Sequence, residues 1–322
     1  MLQDSYSGSL ATTIELSLTS PTFRSLDRDA RDLLGVVAFF PQGIKENNSD
    51  WLFPTISNRK HLFDIFCLLS LTYRNNDFVT MLAPIRDYLG PQGPRLSPLL
   101  CMTRDRYFSR LSVGADPDNP GPREARWVVS EDVNIEHLLE VSTSVDPDSG
   151  HGWEACYYFT IHLYWHKPRQ TILRSKIEAL ADDHPSKPRC LSQLAQLFGQ
   201  AGNHTEQKRL MTYTLELERR QKNDALVAVT LRRLSDVNRL LHLREEGIRR
   251  AKEALGISIR LNNTTEQAQC LNYLASLLLD DKRVNAAENA ASRAMDLVPE
   301  KGQEFLVCHI FLVLGQINRS KG

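Results

Sequence analysis

His162 and His166 stand four residues apart in "HLYWHKP", a spacing that puts two imidazoles on one helix face and could hold a metal ion. A catalytic zinc site needs three protein ligands and a structural one four, and no third ligand lies nearby in the sequence. "ADDHPSKP" groups Asp182, Asp183 and His184, an acid–base set in principle. Pro185 and Pro188 mark that stretch as a loop between helices. There is no G-x-S-x-G elbow, no H-E-x-x-H and no phosphate-cradling G-x-x-x-x-G-K-[ST]. The residue types therefore predict a non-enzymatic chain with no metal and no cofactor.

Arginines are the remaining chemistry. "NRKHLF" could begin a recognition helix with Asn58, Arg59, Lys60 and His61, with Arg74 in an adjoining wing, and that pattern would suit DNA. The formal net charge of the 322-residue chain is zero, which argues against a nucleic-acid or anionic-membrane binder, because both need a basic face. The longest apolar run, "LLGVVAFF", is too short to span a bilayer, which takes roughly 20 residues. No signal-peptide pattern is visible at the start, and six scattered cysteines lack a C-x-x-C pair, so the expectation is reduced thiols in the cytoplasm.

The elements that must position these side chains are set by a repeat. Leu194, Leu234, Leu274 and Leu314 are each 40 residues apart, and each is followed by a small residue: Ala195, Ser235, Ala275 and Gly315. A second set recurs at the same step: Met211, Ala251 and Ala291, then Leu215, Leu255 and Met295. Residues three and four apart share a helix face, so each set marks one buried stripe and two helices make one repeat. The small residues fall where helix backbones come close. Gly202 and, one repeat pair later, Asp280-Asp281-Lys282 occupy the turns.

The stretch 270–299 resembles the tetratricopeptide repeat, with large residues early (Leu271, Leu274, Leu278), alanines late (Ala275, Ala287, Ala291, Ala294) and Pro299 closing it. The second repeat departs at Asn238, a slot usually large, and at Gly247; the first departs at Gln207 and Thr214, where the family carries alanine. A period of 40 rather than 34 implies a longer second helix or connecting turn. A looser helical pair, 153–180, carries Cys156, Phe159, Leu163, Ile172 and Ala179 on its stripe.

The first half reads differently. Phe23, Leu26, Ala30, Leu33 and Val37 share a helix face. A short helix is expected near Trp51 and Leu52, and another from about Asn58 with Leu62, Ile65, Phe66 and Leu69 inward. Then "LSLTY", "RNND" and "FVTML" alternate as a hairpin. Helices followed by a hairpin predict a winged helix. "LLGVVAFFPQGI", "LFDIFCLLSLTY" and "FVTMLAPIRDYL" in succession resemble the winged-helix domain of STAND-type NTPases, the NACHT and NB-ARC relatives, whose fungal members often continue into tetratricopeptide repeats. In that family a Met-His-Asp motif ends the hairpin and its histidine contacts ADP; Met81, Leu82 and Ala83 take those positions here. The resemblance implies a relative, or a fragment of one, without the nucleotide-binding domain.

The expected organisation is mainly α: a flexible tail over 1–20, a winged-helix-like domain with a β-hairpin over 21–96, a helical linker over 97–150 with an exposed loop at 113–124, and an α-α superhelix of tetratricopeptide-like repeats over 151–322. On the first helix of each repeat, outside the buried stripe, lie Arg189, Gln196, Arg232, Arg239, Asn272, Ser276 and Arg319. These form the candidate groove for a protein or peptide partner, the arginines favouring an acidic one. The last repeat is incomplete, and Phe305, Val307, Ile310 and Phe311 leave little room for a polar cap. That predicts either a truncated product or end-to-end self-association. A DNA-binding regulator built on the winged helix is the alternative.

Overall fold

The computed structural model describes residues 12–89, 97–113, 122–145, 150–164, 170–298 and 303–321. The chain divides into two compact units, Met1–Pro168 and Arg169–Gly322.

In the first unit, Asp27 ends the run that begins at Phe23. Its carboxylate accepts the Ala30 amide at 2.8 Å, so helix α1 starts at Arg28 and runs to Phe39. Phe23 sits in a separate turn, Pro21–Arg24, and the single face expected from 23 to 37 is two elements. After α1 come β1 (Ile44–Lys45), a helical turn at Ser49–Leu52, α2 (Arg59–Leu68), β2 (Tyr73–Asn75) and β3 (Phe78–Thr80). The sheet is antiparallel in the order β1-β3-β2, with Arg74 and Ile44 both opposite Val79. Helices with a small antiparallel sheet among them are therefore present in this half, as expected. Sequence reading missed β1 and began β2 too early; Asn76, at φ 53°, makes the tight reversal. On α2 the inward residues are Leu62, Phe63 and Phe66, with Ile65 and Leu69 only half-buried.

Five further helices follow among the described residues of this unit: α3 (Ala83–Leu89), α4 (Pro98–Leu111), α5 (Pro122–Ser130), α6 (Asp132–Val145) and α7 (Gly150–His162). The expected loop at 113–124 ends in helix, because α5 begins at Pro122; 114–121 lie outside the described residues. The repeats were expected from 151, but α7 belongs to the first compact unit. Its core is tied by one buried carboxylate. Glu131 accepts the Asn48 amide at 2.6 Å, the Tyr107 hydroxyl at 3.0 Å and the Asn134 amide at 3.0 Å. Asn134 in turn donates to Gly43 O and accepts from the Gln42 amide. Around it, Trp51, Tyr107 and Trp127 meet edge to face and stacked, and Arg110 lies over both tryptophans.

The second unit is an array of helical hairpins: α8 (Gln170–Ala179), α9 (Lys187–Gln200), α10 (His204–Arg220), α11 (Asp224–Leu240), α12 (Arg244–Arg260), α13 (Thr264–Asp280), α14 (Val284–Asp296) and α15 (Glu304–Lys321). The step of 40 comes from long helices, first and second alike, and not from a long turn. Four successive helices, α10 to α13, have 17 residues each, and three residues join them. Gly202, Lys222, His242, Asn262 and Lys282, spaced every 20 residues, all have positive φ. Each connector has the same bonds. The Lys222 amide donates to Arg219 O and the Asn223 amide to Glu218 O, which closes α10. Asn223 then caps α11, its side chain accepting the Leu226 amide at 3.2 Å; Asn203 and Asn263 do the same for α10 and α13.

The departures from the tetratricopeptide pattern are mostly compensated. Gln207, where alanine is usual, lies where a side chain on Gly199 would collide, 2.5 Å from its Nε2. Thr214, fully buried, returns its hydroxyl to Leu210 O at 2.9 Å. Asn238 has no such compensation: fully buried, both its amide atoms lack partners. In the looser pair, Cys156, Phe159, Leu163 and Ile172 are buried, while Ala179 is exposed and Leu173 and Ile177 take its place.

Candidate partner-binding face of the repeat helices

The first helices of successive repeats, α9, α11, α13 and α15, lie beside one another, α11 against α13 and α13 against α15. On three of them one stripe of residues is less buried than its neighbours: Arg189, Gln196 and Gln200; Val229, Arg233, Asp236 and Leu240; Gln269, Tyr273, Ser276 and Asp280. The members advance by three, four or seven residues along a helix and by 40 between helices, so they make one face.

Of the seven residues chosen from the sequence, three lie on this stripe. Arg189 is exposed, and Gln196 and Ser276 are half-buried, with the Ser276 hydroxyl donating to Asn272 O at 3.2 Å. Two lie one position too early. Arg232 is 8% exposed and its guanidinium is engaged by Glu266, Nε to Oε1 at 2.6 Å, above the Tyr273 ring. Asn272 is 4% exposed, with its side-chain oxygen unpartnered. Both serve the packing between first helices rather than a ligand. Arg239, at the edge, pairs with Asp236 at 3.0 Å and with Asp280 at 3.6 Å. Arg319 is exposed on α15.

The neighbours that the sequence reading missed are Arg233 and Tyr273. Arg233 donates to the Ser192 hydroxyl across to α9 at 2.9 Å. Both share a column 40 apart with Gln193, and that column was legible. What was not legible was that the hydrophobic stripe extends one residue further round the helix than leucines alone indicate, because Arg232 is held inside by Glu266.

The other candidates resolve into structural roles. His162 is buried, its Nε2 2.9 Å from Leu111 O; His166 lies outside the described residues. Asp182 bonds Lys187 Nζ at 2.7 Å and the Tyr213 hydroxyl at 2.8 Å, and these bonds hold its carboxyl below the usual range. His184 Nδ1 accepts the Ser186 amide. Among the described residues no group of three His, Cys, Asp or Glu is arranged to hold a metal, and no helix is long and apolar enough to cross a membrane. On the first unit, Arg59 pairs with Asp50, and Arg74 with Glu46 at 2.8 Å and Asp64 at 2.6 Å. Carboxylates therefore engage both of these arginines. A cavity of about 360 Å³ opens between α4 and α7, lined by Arg104, Phe108, Ser112, Glu154 and Tyr158.

No protein-family model matches the chain, and no curated protein matches it. Solved structures do. BtubC (BKLC) from P. vanneervenii is 17% identical over 68% of this chain and 84% of its own, with a TM-score of 0.43. A kinesin-light-chain-type protein of nearly identical TPR-like repeats from Podosopora anserina is 10% identical over 60% and 95%, at 0.44. A Signal Transduction ATPase with Numerous Domains (STAND) protein with a tetratricopeptide repeat sensor from Pyrococcus horikoshii is 13% identical over 94% of this chain and 54% of its own, at 0.28.

Proposed function

We propose that the chain is a non-catalytic interaction module whose repeats hold an extended peptide or protein segment along the stripe of first helices. The observation that carries this is the half-exposed face in which Arg189, Gln196, Arg233, Tyr273 and Ser276 come together from three helices. A guanidinium suits a carboxylate, and Tyr273 offers an aromatic floor, so the partner segment is acidic with at least one apolar anchor. The first unit is read as a relative of the winged-helix part of STAND-type proteins that does not contact nucleotide at the end of its hairpin. In support, Leu82, which is 54% exposed, takes the place of the ADP-contacting histidine and has no hydrogen bond to offer a phosphate. Six free cysteines support a cytoplasmic setting.

The test is fluorescence anisotropy against a peptide library graded in charge. Acidic peptides should bind, and Arg189→Glu with Arg233→Gln should weaken them at least tenfold while circular dichroism shows the helices intact. Binding that survives both that double change and Tyr273→Ala places the partner elsewhere.

A further inference from the structure

The cavity of about 360 Å³ between α4 and α7 lies wholly in the first unit and takes no part in the repeat face. Its size falls within the range of small-molecule sites, roughly 300–1,000 Å³. One face of each helix lines it. Arg104 and Phe108 on α4 are four residues apart, as are Glu154 and Tyr158 on α7, so each pair stacks along its own helix. The floor is apolar: Phe108 is 8% exposed and Ala155 is 2%. Tyr158 is half-buried, and Ser109 is exposed at the rim.

The charges around this opening do not balance. Arg104 is the one cation among the lining residues, and Asp105 takes it up, with Nε at 2.9 Å and Nη2 at 2.8 Å from the same carboxylate oxygen. The other carboxylate, on Glu154, is half-buried and has neither a hydrogen bond nor an ion pair among the described residues. Comparable carboxylates elsewhere in the chain are engaged. Glu131 has three donors, Glu246 takes Lys208 and Arg250, and Glu266 takes Arg232. Removing a carboxylate from water without a partner is unfavourable, so Glu154 is short of a cation. Aromatic rings beside it favour positive charge as well.

We propose that this opening is a binding site for a small organic cation, a primary ammonium on a short aromatic or aliphatic body. The ammonium donates to the Glu154 carboxylate, and the Ser109 hydroxyl offers a second acceptor. The apolar body rests on Phe108 and against Tyr158. An anion would meet Glu154 unneutralised and find the Arg104 guanidinium already held by Asp105. This site and the repeat face are independent, and neither reading rests on the other.

Isothermal titration of the full chain near neutral pH with phenethylamine, phenethyl alcohol and hydrocinnamate compares a cation, a neutral molecule and an anion of nearly one shape. The amine should bind saturably and at least tenfold more tightly than either of the others. Glu154→Gln should weaken it at least tenfold with an unchanged melting curve. Asp105→Asn, which releases the charge of Arg104 into the opening, should weaken it too, and Arg104→Gln should tighten it. Ser109→Trp, which fills the opening from its rim, should abolish binding. An amine bound no more tightly than the alcohol, or equally by Glu154→Gln, overturns the proposal. So does a preference for hydrocinnamate, which would make Arg104 the recognition group, and so does amine binding that survives Ser109→Trp.

Discussion

The two units solve the same problem, ordering a long chain, in opposite ways. In the repeat array the contacts join an element to the next one or two along the chain, and the connector chemistry recurs every 20 residues from Gly202 to Lys282. In the first unit the decisive bonds are between residues far apart in sequence: Asn48 reaches Glu131, 83 residues on, and Asn134 reaches Gly43, 91 residues back. An array of near-neighbour contacts loses stability by increments when one is removed, since each repeat adds its own interface term. A core organised around one carboxylate has a single point of failure.

The strongest way to break the comparison is to remove one buried charge from each unit. Glu131→Ala leaves the donors of Asn48, Tyr107 and Asn134 buried without an acceptor, and Arg232→Ala leaves the Glu266 carboxylate buried without its cation. Each should cost roughly 3–5 kcal/mol. The first should unfold residues 12–164 cooperatively while the array keeps its own transition. The second should lower and broaden the array's transition without touching the first. Calorimetry with hydrogen exchange resolves the two, and one shared transition in both variants would erase the distinction.

Next comes a charge inside the array itself. Glu218 on α10 is 2% exposed, with one oxygen accepting the Thr230 hydroxyl at 3.1 Å and the other unpartnered. Burial pushes its carboxyl from the ordinary 4.5 up to about 7, against the smaller pull of the Thr230 bond and of Arg233. The folded chain therefore holds this proton more tightly than the unfolded chain does. Stability is fully present below about pH 4.5 and falls as the pH rises to about 7, by up to about 3 kcal/mol from this group. Glu218→Gln should flatten that slope, leaving denaturation midpoints equal at pH 4 and higher than the parent's at pH 8. In the next repeat the same two columns hold Ser258 and Cys270, 3.9 Å apart, so the charge is peculiar to one hairpin.

The same contrast governs what could be read before the structure was known. The array was legible because its information is local: residue size repeats at a fixed step, and Leu194, Leu234 and Leu274 do occupy equivalent buried positions. Boundaries in the first unit were less so. Asp27 ended a hydrophobic run by capping a helix, and β1 has only two residues, too few to show alternation. The role of Glu131 is not written in its neighbourhood, since nothing in its flanking sequence announces three donors from distant segments. At the candidate face the sequence found the right helices and was one residue off for Arg232 and Asn272. A polar residue inside a helix stripe reads as solvent-facing unless its partner, here Glu266 34 residues on, is already known.

Asn238 tests whether the array tolerates repair. Its column holds Phe198 and Leu278 in the flanking repeats, and its own two amide atoms are buried without partners. Asn238→Leu replaces them with an apolar group of similar size and should stabilise by about 1–3 kcal/mol. A rise in the urea midpoint with an unchanged slope would show it, and a fall would mean that the amide has a role in the hairpin.

The smallest expected effect probes the connectors, where the array's regularity is least forgiving. Lys282 adopts φ 61° at the position where Gly202 stands four connectors, or two repeats, earlier. A left-handed conformation costs a non-glycine residue roughly 1–2 kcal/mol, and glycine gives back part of that gain through its freer unfolded chain. Lys282→Gly should therefore stabilise by up to about 1 kcal/mol, and Lys282→Ala by nothing. Gly202→Ala should destabilise by a similar amount, because space is open around it and only the backbone conformation opposes the side chain. If the two substitutions move thermal midpoints in opposite directions, the connectors behave as copies of one another. If Lys282→Gly destabilises instead, its side chain does something that its counterpart at 202 does not, and the equivalence of the turns fails at that point.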